Sequence, residues 1–105
     1  MQILYSSNKL KNSIEDKKKR EKTYGVLAKR LKMRIDALIA ANSLADISHL
    51  PPPRRHKLND PYKGCYAVDI NGPFRLIFRP NNRNTTTESQ INSITVLEVK
   101  NYHEK

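Results

Sequence analysis

Four residues of this 105-residue chain have the types that acid–base chemistry on a phosphodiester needs. They are His103 and Tyr102 near the C-terminal end, Arg75 within an apolar run, and His56 in a short basic segment. Breaking an RNA linkage without a metal requires three things. The 2′-oxygen must lose a proton, the pentacoordinate phosphorane must be stabilised, and the leaving 5′-oxygen must be protonated. Positioned acid–base groups add about 10²–10⁴-fold to such a reaction, and fixed cations stabilise the developing charge. An imidazole titrates near neutral pH, and surrounding cations favour its neutral, proton-accepting form. His103 is therefore the preferred acid or base. Tyr102 can hydrogen-bond a phosphate or stack on a base. A guanidinium such as Arg75 can clamp a phosphate through two bonds.

Each of these residues also has a plainer role open to it. A C-terminal histidine can be a frayed end, and Tyr102 a sheet-edge aromatic. Arg75 can pair with Asp69 across a hairpin instead of binding phosphate. By alternation Arg54 and His56 share one face, with Arg55 and Lys57 on the other. His56 is then either a second acid–base group or a strand histidine. His49, His56 and His103 lack the close spacing with Cys or carboxylates that a zinc site shows. No Gly-rich phosphate loop is present, with only Gly25, Gly64 and Gly72 in the chain. No metal and no cofactor are expected.

The elements that must position these residues follow from periodicity. Gln2 to Tyr5 reads as a short strand. Ser6, Ser7 or Asn8 can cap a helix through Lys9–Ile14. The run Lys17–Lys22 carries no apolar residue and reads as a solvated turn or helix extension. From Thr23 to Ala41, the residues Tyr24, Leu27, Ala28, Leu31, Ile35, Leu38 and Ile39 recur at spacings of three and four. That is one stripe of a long helix facing a core. Leu44 to His49 reads as a short helix stopped by Pro51-Pro52-Pro53. The second half reads as strands: Arg54–Leu58, Cys65–Ile70, Phe74–Phe78 and Ile91–Val99. Asn71-Gly72 signals a type I′ hairpin, and Asn81–Gln90 a polar loop. Within Phe74–Phe78, alternation sets Arg75 and Ile77 opposite Phe74, Leu76 and Phe78. The apolar set would face the helices and Arg75 the open side. The expected fold is α+β, with two N-terminal helices packed on one face of a twisted antiparallel β-sheet.

Length allows one domain, residues 1–105. Twenty Lys and Arg against ten Asp and Glu give a formal charge of +10. Such an excess favours a polyanionic partner, and nucleic acid leads because phosphate contacts dominate that affinity. The basic stretches lack the Trp and Phe that an interfacial helix inserts, so no membrane partner is expected. The single cysteine, Cys65, permits no internal disulfide and reads as a small packing residue. With no signal-peptide pattern at Met1–Tyr5, a cytoplasmic location is expected.

Three blocks taken in order resemble one family. They are Pro52-Pro53-Arg54-Arg55-His56-Lys57-Leu58, Gly64-Cys65-Tyr66-Ala67-Val68-Asp69-Ile70-Asn71-Gly72 and Phe74-Arg75-Leu76-Ile77-Phe78. With the Tyr102-His103 ending, they resemble the HigB toxins of the RelE/ParE toxin–antitoxin superfamily, once labelled plasmid maintenance killer proteins. The resemblance implies a ribosome-dependent endoribonuclease, an mRNA interferase that enters the ribosomal A site and cuts mRNA there. It implies a cognate helix-turn-helix antitoxin of the HigA-like kind, with promoter DNA bound through the antitoxin. Catalytic roles would fall to His103, Tyr102, Arg75 and His56. RNA or ribosome contacts would fall to Arg54, Arg55, Lys57, Asn59, Lys63, Arg79 and Asn101. Asn59 stands at the position of the family's functional lysine, and Asn101 at that of its acidic residue; Lys57 and Lys63 lie near the first. A ParE-like gyrase inhibitor or a non-catalytic toxin-fold binding module are the competing expectations on the same scaffold.

Overall fold

The computed structural model describes residues 1–82 and 85–102. The chain runs β1 (Gln2–Tyr5), α1 (Asn8–Glu15), α2 (Lys17–Tyr24), α3 (Ala28–Ala40), β2 (His56–Lys57), β3 (Tyr66–Asn71), β4 (Phe74–Pro80) and β5 (Ser93–Asn101). Five strands form one sheet in the order β1-β5-β4-β3-β2.

The sheet is mixed, not wholly antiparallel. β1 lies parallel to β5, with Ile3 opposite Ile94 and Tyr5 opposite Val96, while the other pairings are antiparallel. The hairpin signal governs only β3–β4, and nothing within Gln2–Tyr5 reports the direction of a partner 90 residues away. The tight turn also differs from the type I′ expectation. Asn71 pairs with Phe74, so the two-residue loop is Gly72-Pro73. Of these two loop residues only Gly72 has positive φ, at 56°. Positive φ confined to the first central residue is the type II′ requirement, and proline's fixed φ suits the second position.

The helical layer has three segments where two helices were expected. Ser7 caps α1 by accepting the Leu10 amide. Asp16 caps α2 by accepting the Lys19 amide at 2.9 Å, so the basic run is itself helical. Arg20 turns inward from it and donates to the Ile14 carbonyl at 2.7 Å. That bond satisfies an acceptor α1 leaves open at its end. The expected Thr23–Ala41 helix breaks at Gly25, whose φ of 54° a right-handed helix cannot contain. A 3₁₀ turn over Gly25–Leu27 leads into α3. The stripe otherwise behaves as its spacing predicts. Leu27, Ala28, Leu31, Ile35 and Leu38 are buried, Tyr24 is half-buried, and Ile39 at 50% exposure falls off the stripe. Leu44–His49 shrinks to a 3₁₀ turn at Leu44–Asp46, and Arg54–Leu58 to the two residues of β2. No helix among the described residues is long and apolar enough to cross a membrane.

The core lies between the helices and one face of the sheet. Val68, Ile70, Leu76, Phe78, Ile94 and Val96 meet Ile14, Leu31, Ile35 and Leu38 there. The opposite face carries a small cluster of Cys65, Ala67 and Ile77, flanked by Leu58, Tyr62, Leu97 and Tyr102. A bulge in β5 contributes to it. Ile77 pairs with Glu98 and Phe78 with Val96, leaving Leu97 over, and the extra residue bends the strand. The second face is therefore partly roofed by the Leu58–Tyr62 segment, and a groove remains beside that roof.

Candidate nucleic-acid interface and active site

Register decides which side chains meet on the second face. Directly opposite residues share a face, so Asp69, Arg75 and Lys100 form one row. His56, Ala67, Ile77 and Glu98 form the next. Tyr102 follows Lys100 by two, and its amide donates to the Pro73 carbonyl at 3.1 Å. Side chains of His56, Lys57, Asn59, Tyr62, Arg75, Lys100 and Tyr102 line a groove of about 480 Å³.

Three of these groups have unspent bonding capacity. His56 Nδ1 lies 2.8 Å from the Arg54 carbonyl oxygen. A carbonyl only accepts, so Nδ1 carries the proton and the neutral ring presents Nε2 as an acceptor. Nε2 is buried with no hydrogen-bond partner among the described residues. The same holds for the Tyr102 hydroxyl and for Arg75 Nε. Of the four such atoms found, only the Tyr5 hydroxyl lies elsewhere. Buried polar groups are ordinarily satisfied; these three share one groove without a hydrogen-bond partner among the described residues.

The groove is lined by the cations Lys57, Arg75 and Lys100 against one carboxylate, Asp60, a balance that favours an anion. The Arg75 guanidinium carbon lies over the Tyr102 ring, 4.4 Å from its centroid, a cation–π contact that holds the two side chains together. Burial pushes the Tyr102 phenol above its ordinary value, against a smaller opposite pull from Arg75. Tyr102 thus stays protonated near neutral pH and acts as a donor. Lys100 Nζ sits 5.9 Å from the Tyr62 ring centroid. The Tyr62 hydroxyl donates to Glu98 Oε2 at 2.7 Å, and chiefly that bond raises its pKa to about 12.

The residues named from sequence divide into those the fold gathers and those it does not. Tyr102, Arg75, His56, Lys57 and Asn59 line the groove. Lys63 lines an adjoining cavity that shares Lys57 and Asn59. Arg54 is committed to Asp69 through a fork, Nε to Oδ2 at 2.6 Å and the terminal nitrogen to Oδ1 at 2.9 Å. Arg55 donates to the Leu44 carbonyl at 2.7 Å and pairs with Glu88 at 3.3 Å. These are ties within the fold, and neither arginine lines the groove. Arg79 lines a separate cavity beside the start of α1. Asn101 pairs with Phe74, which sets it on the helix-covered face, opposite to Tyr102. His103 lies outside the described residues. Both alternatives raised for Arg75 are represented: it faces the groove, and its Nε is 3.3 Å from Asp69 Oδ1. Sequence reasoning missed Tyr62, Glu98 and Lys100. Tyr62 comes close only because the 58–65 segment folds back, and no local pattern announces that.

Comparison with known proteins agrees with this architecture. A chain of the YoeB–YefM complex from Staphylococcus aureus superposes with a TM-score of 0.57 at 17% identity, covering 95% of this chain and 94% of that one. At that identity the likeness establishes the fold. The HigB-like toxin family, described as the RelE-like toxin of the type II toxin–antitoxin system HigB, matches residues 4–94. The chain belongs to that family and is a type II toxin–antitoxin toxin of the RelE-like kind. The matched span contains His56 and Arg75 and ends before Tyr102. Among curated proteins, none matches the chain.

Proposed function

We propose that this toxin is a ribosome-dependent mRNA endoribonuclease, cutting in the A site with the RNA's own 2′-hydroxyl as nucleophile. The observation that carries the reading is the gathering of His56 Nε2, Arg75 Nε and the Tyr102 hydroxyl, all buried and without a hydrogen-bond partner among the described residues, in one groove. A phosphodiester supplies what each lacks. Its 2′-hydroxyl gives a proton to His56 Nε2, as the neutral tautomer held by the Arg54 carbonyl allows. The Tyr102 hydroxyl and the Arg75 guanidinium donate to the non-bridging oxygens, where negative charge grows in the transition state. His103, next in the chain after Tyr102 and expected from the sequence to act as acid or base, takes the acid's part in this reading and protonates the departing 5′-oxygen. Lys57 and Lys100 on the groove wall hold flanking phosphates. A cognate antitoxin, expected to be HigA-like and to carry the promoter-DNA contacts, neutralises the protein in the cytoplasm.

Purified protein added to translating ribosomes should yield codon-phased mRNA cuts by primer extension. His56→Gln should slow cutting about 10²-fold or more. Arrest of translation with intact mRNA would replace this reading with a non-catalytic binding module. Inhibition of gyrase supercoiling without RNA cuts would replace it with a ParE-like activity.

A further inference from the structure

Asp69 and Arg75 stand directly opposite each other on β3 and β4. An arginine and an aspartate so placed ordinarily close into a forked ion pair, which uses up the guanidinium. Here they do not. Asp69 Oδ1 and Oδ2 both accept from Arg54, at 2.9 and 2.6 Å. Arg75 Nε stays 3.3 Å from Oδ1 without a hydrogen bond. We propose that Arg54 is a positioning residue that takes both oxygens of the Asp69 carboxylate, limits Arg75 to one long ion-pair contact with it, and so leaves the rest of the Arg75 guanidinium able to take an RNA phosphate. This goes beyond the nuclease reading by giving Arg54 a role without RNA contact, and rests on that reading for the identity of the ligand.

The backbone is built to hold Arg54 in this role. Arg54 has a φ of 55°, a conformation non-glycine residues seldom adopt. The preceding carbonyl, of Pro53, accepts the Asp69 amide at 2.7 Å. The Asp69 carbonyl in turn accepts from Arg34 Nε of α3 at 2.6 Å. The Pro53–Asp69 bond, backbone to backbone, fixes the corner against β3 independently of the side chains, and the Arg34 bond ties that point of β3 to α3. The same corner offers the Arg54 carbonyl to His56, so one residue sets both the imidazole tautomer and the freedom of Arg75. Asp69 still neutralises part of the charge crowded around it, which keeps two adjacent guanidinium groups tolerable without an RNA.

The test reads affinity for a short RNA whose 2′-oxygens are methylated, so that it binds and is not cut, at one fixed salt concentration. Arg54→Ala lets Arg75 close on Asp69, and affinity should fall about 10-fold or more, the worth of one charge-assisted phosphate contact. Asp69→Asn alone should bind at least as well as the wild type. The double variant Arg54→Ala/Asp69→Asn should recover to within about threefold of the wild type. Adding Arg75→Ala to it should abolish the recovery. Because the double variant also restores net charge, Arg54→Ala/Asp36→Asn serves as control; Asp36 is an exposed α3 residue paired with Lys32. Equal recovery in that control overturns the proposal. So does a folded double variant that stays as weak as Arg54→Ala, which would mean that Arg54 itself touches RNA. If Arg54→Ala does not fold by thermal melting, Arg54→Lys, which keeps the charge and loses the fork, carries the same comparison. A wild type that shows this affinity pattern yet never cuts mRNA overturns the nuclease reading and supports the Arg54 role.

Discussion

The two faces of the sheet are made by the same strands and obey opposite rules. On β4, Leu76 and Phe78 point to the helices and are fully buried among aliphatic side chains. Arg75 points the other way, into a groove where its Nε, His56 Nε2 and the Tyr102 hydroxyl lack hydrogen-bond partners among the described residues. Alternation with period two produces both sets at once. One face supplies the apolar burial that holds a small domain together. The other keeps polar groups short of partners, which costs stability and leaves them ready for a ligand. In this chain stability and proposed chemistry are back to back, one side chain apart.

The largest break in that contrast comes from the helix-covered face. Phe78→Ala removes the largest fully buried side chain, and truncations of this kind cost about 3–5 kcal/mol. Against the usual total of about 5–15 kcal/mol, melting should fall by at least about 12 °C. Cutting per folded molecule, assayed well below the melting temperature, should stay near that of the wild type. A loss of specific activity without a loss of stability would show that the two faces are not separable.

The legible part of this contrast was the local part. Alternation in Phe74–Phe78 gave the correct face to Arg75, and the stripe in Leu27–Leu38 gave the core side of α3. Periodicity of this sort needs only a few consecutive residues. Gly25 was a readable warning inside the long helical pattern, outweighed by the apolar spacing on either side. The direction of β1, the corner that ties Arg54 to Asp69, and the approach of Tyr62 to Glu98 all depend on residues 15 to 91 positions apart. No short window contains them. Asn101 was named only from the resemblance, as the position of the family's acidic residue; its pairing with Phe74 sets it on the face opposite to Tyr102, which only the register shows.

Tyr102→Phe sharpens the comparison at intermediate scale. It keeps the ring under the Arg75 guanidinium and deletes only a buried hydroxyl that has no hydrogen-bond partner among the described residues. Removing an unsatisfied buried group should leave stability unchanged or raise it by up to about 1 kcal/mol. Cutting should slow about 10-fold or more, since one donor to the developing phosphorane charge is gone. Thermal melting and single-turnover cutting on the same preparation check both. A clear loss of stability would mean that the hydroxyl serves the fold, and the second face would then follow the same rule as the first.

The smallest effect concerns a polar pair on the second face that is satisfied. Tyr62 donates to Glu98, and its phenol is raised from 10.0 to about 12, mainly by that bond and then by burial. A raised pKa in the folded state means that the native protein holds the proton more tightly than the unfolded chain does. The pair's stabilisation is therefore complete below pH 10 and is lost as pH rises through about 12. Tyr62→Phe should lower stability by about 1 kcal/mol at neutral pH, and the gap to the wild type should close between pH 10 and 12. Tyr5, also raised to about 12, titrates in both proteins and cancels from the difference. Chemical denaturation across that pH range, with tyrosinate absorbance followed in parallel, measures the gap. A gap that persists above pH 12 would assign the stabilisation to ring packing, and would leave the second face with no polar contact that holds the fold through its hydroxyl.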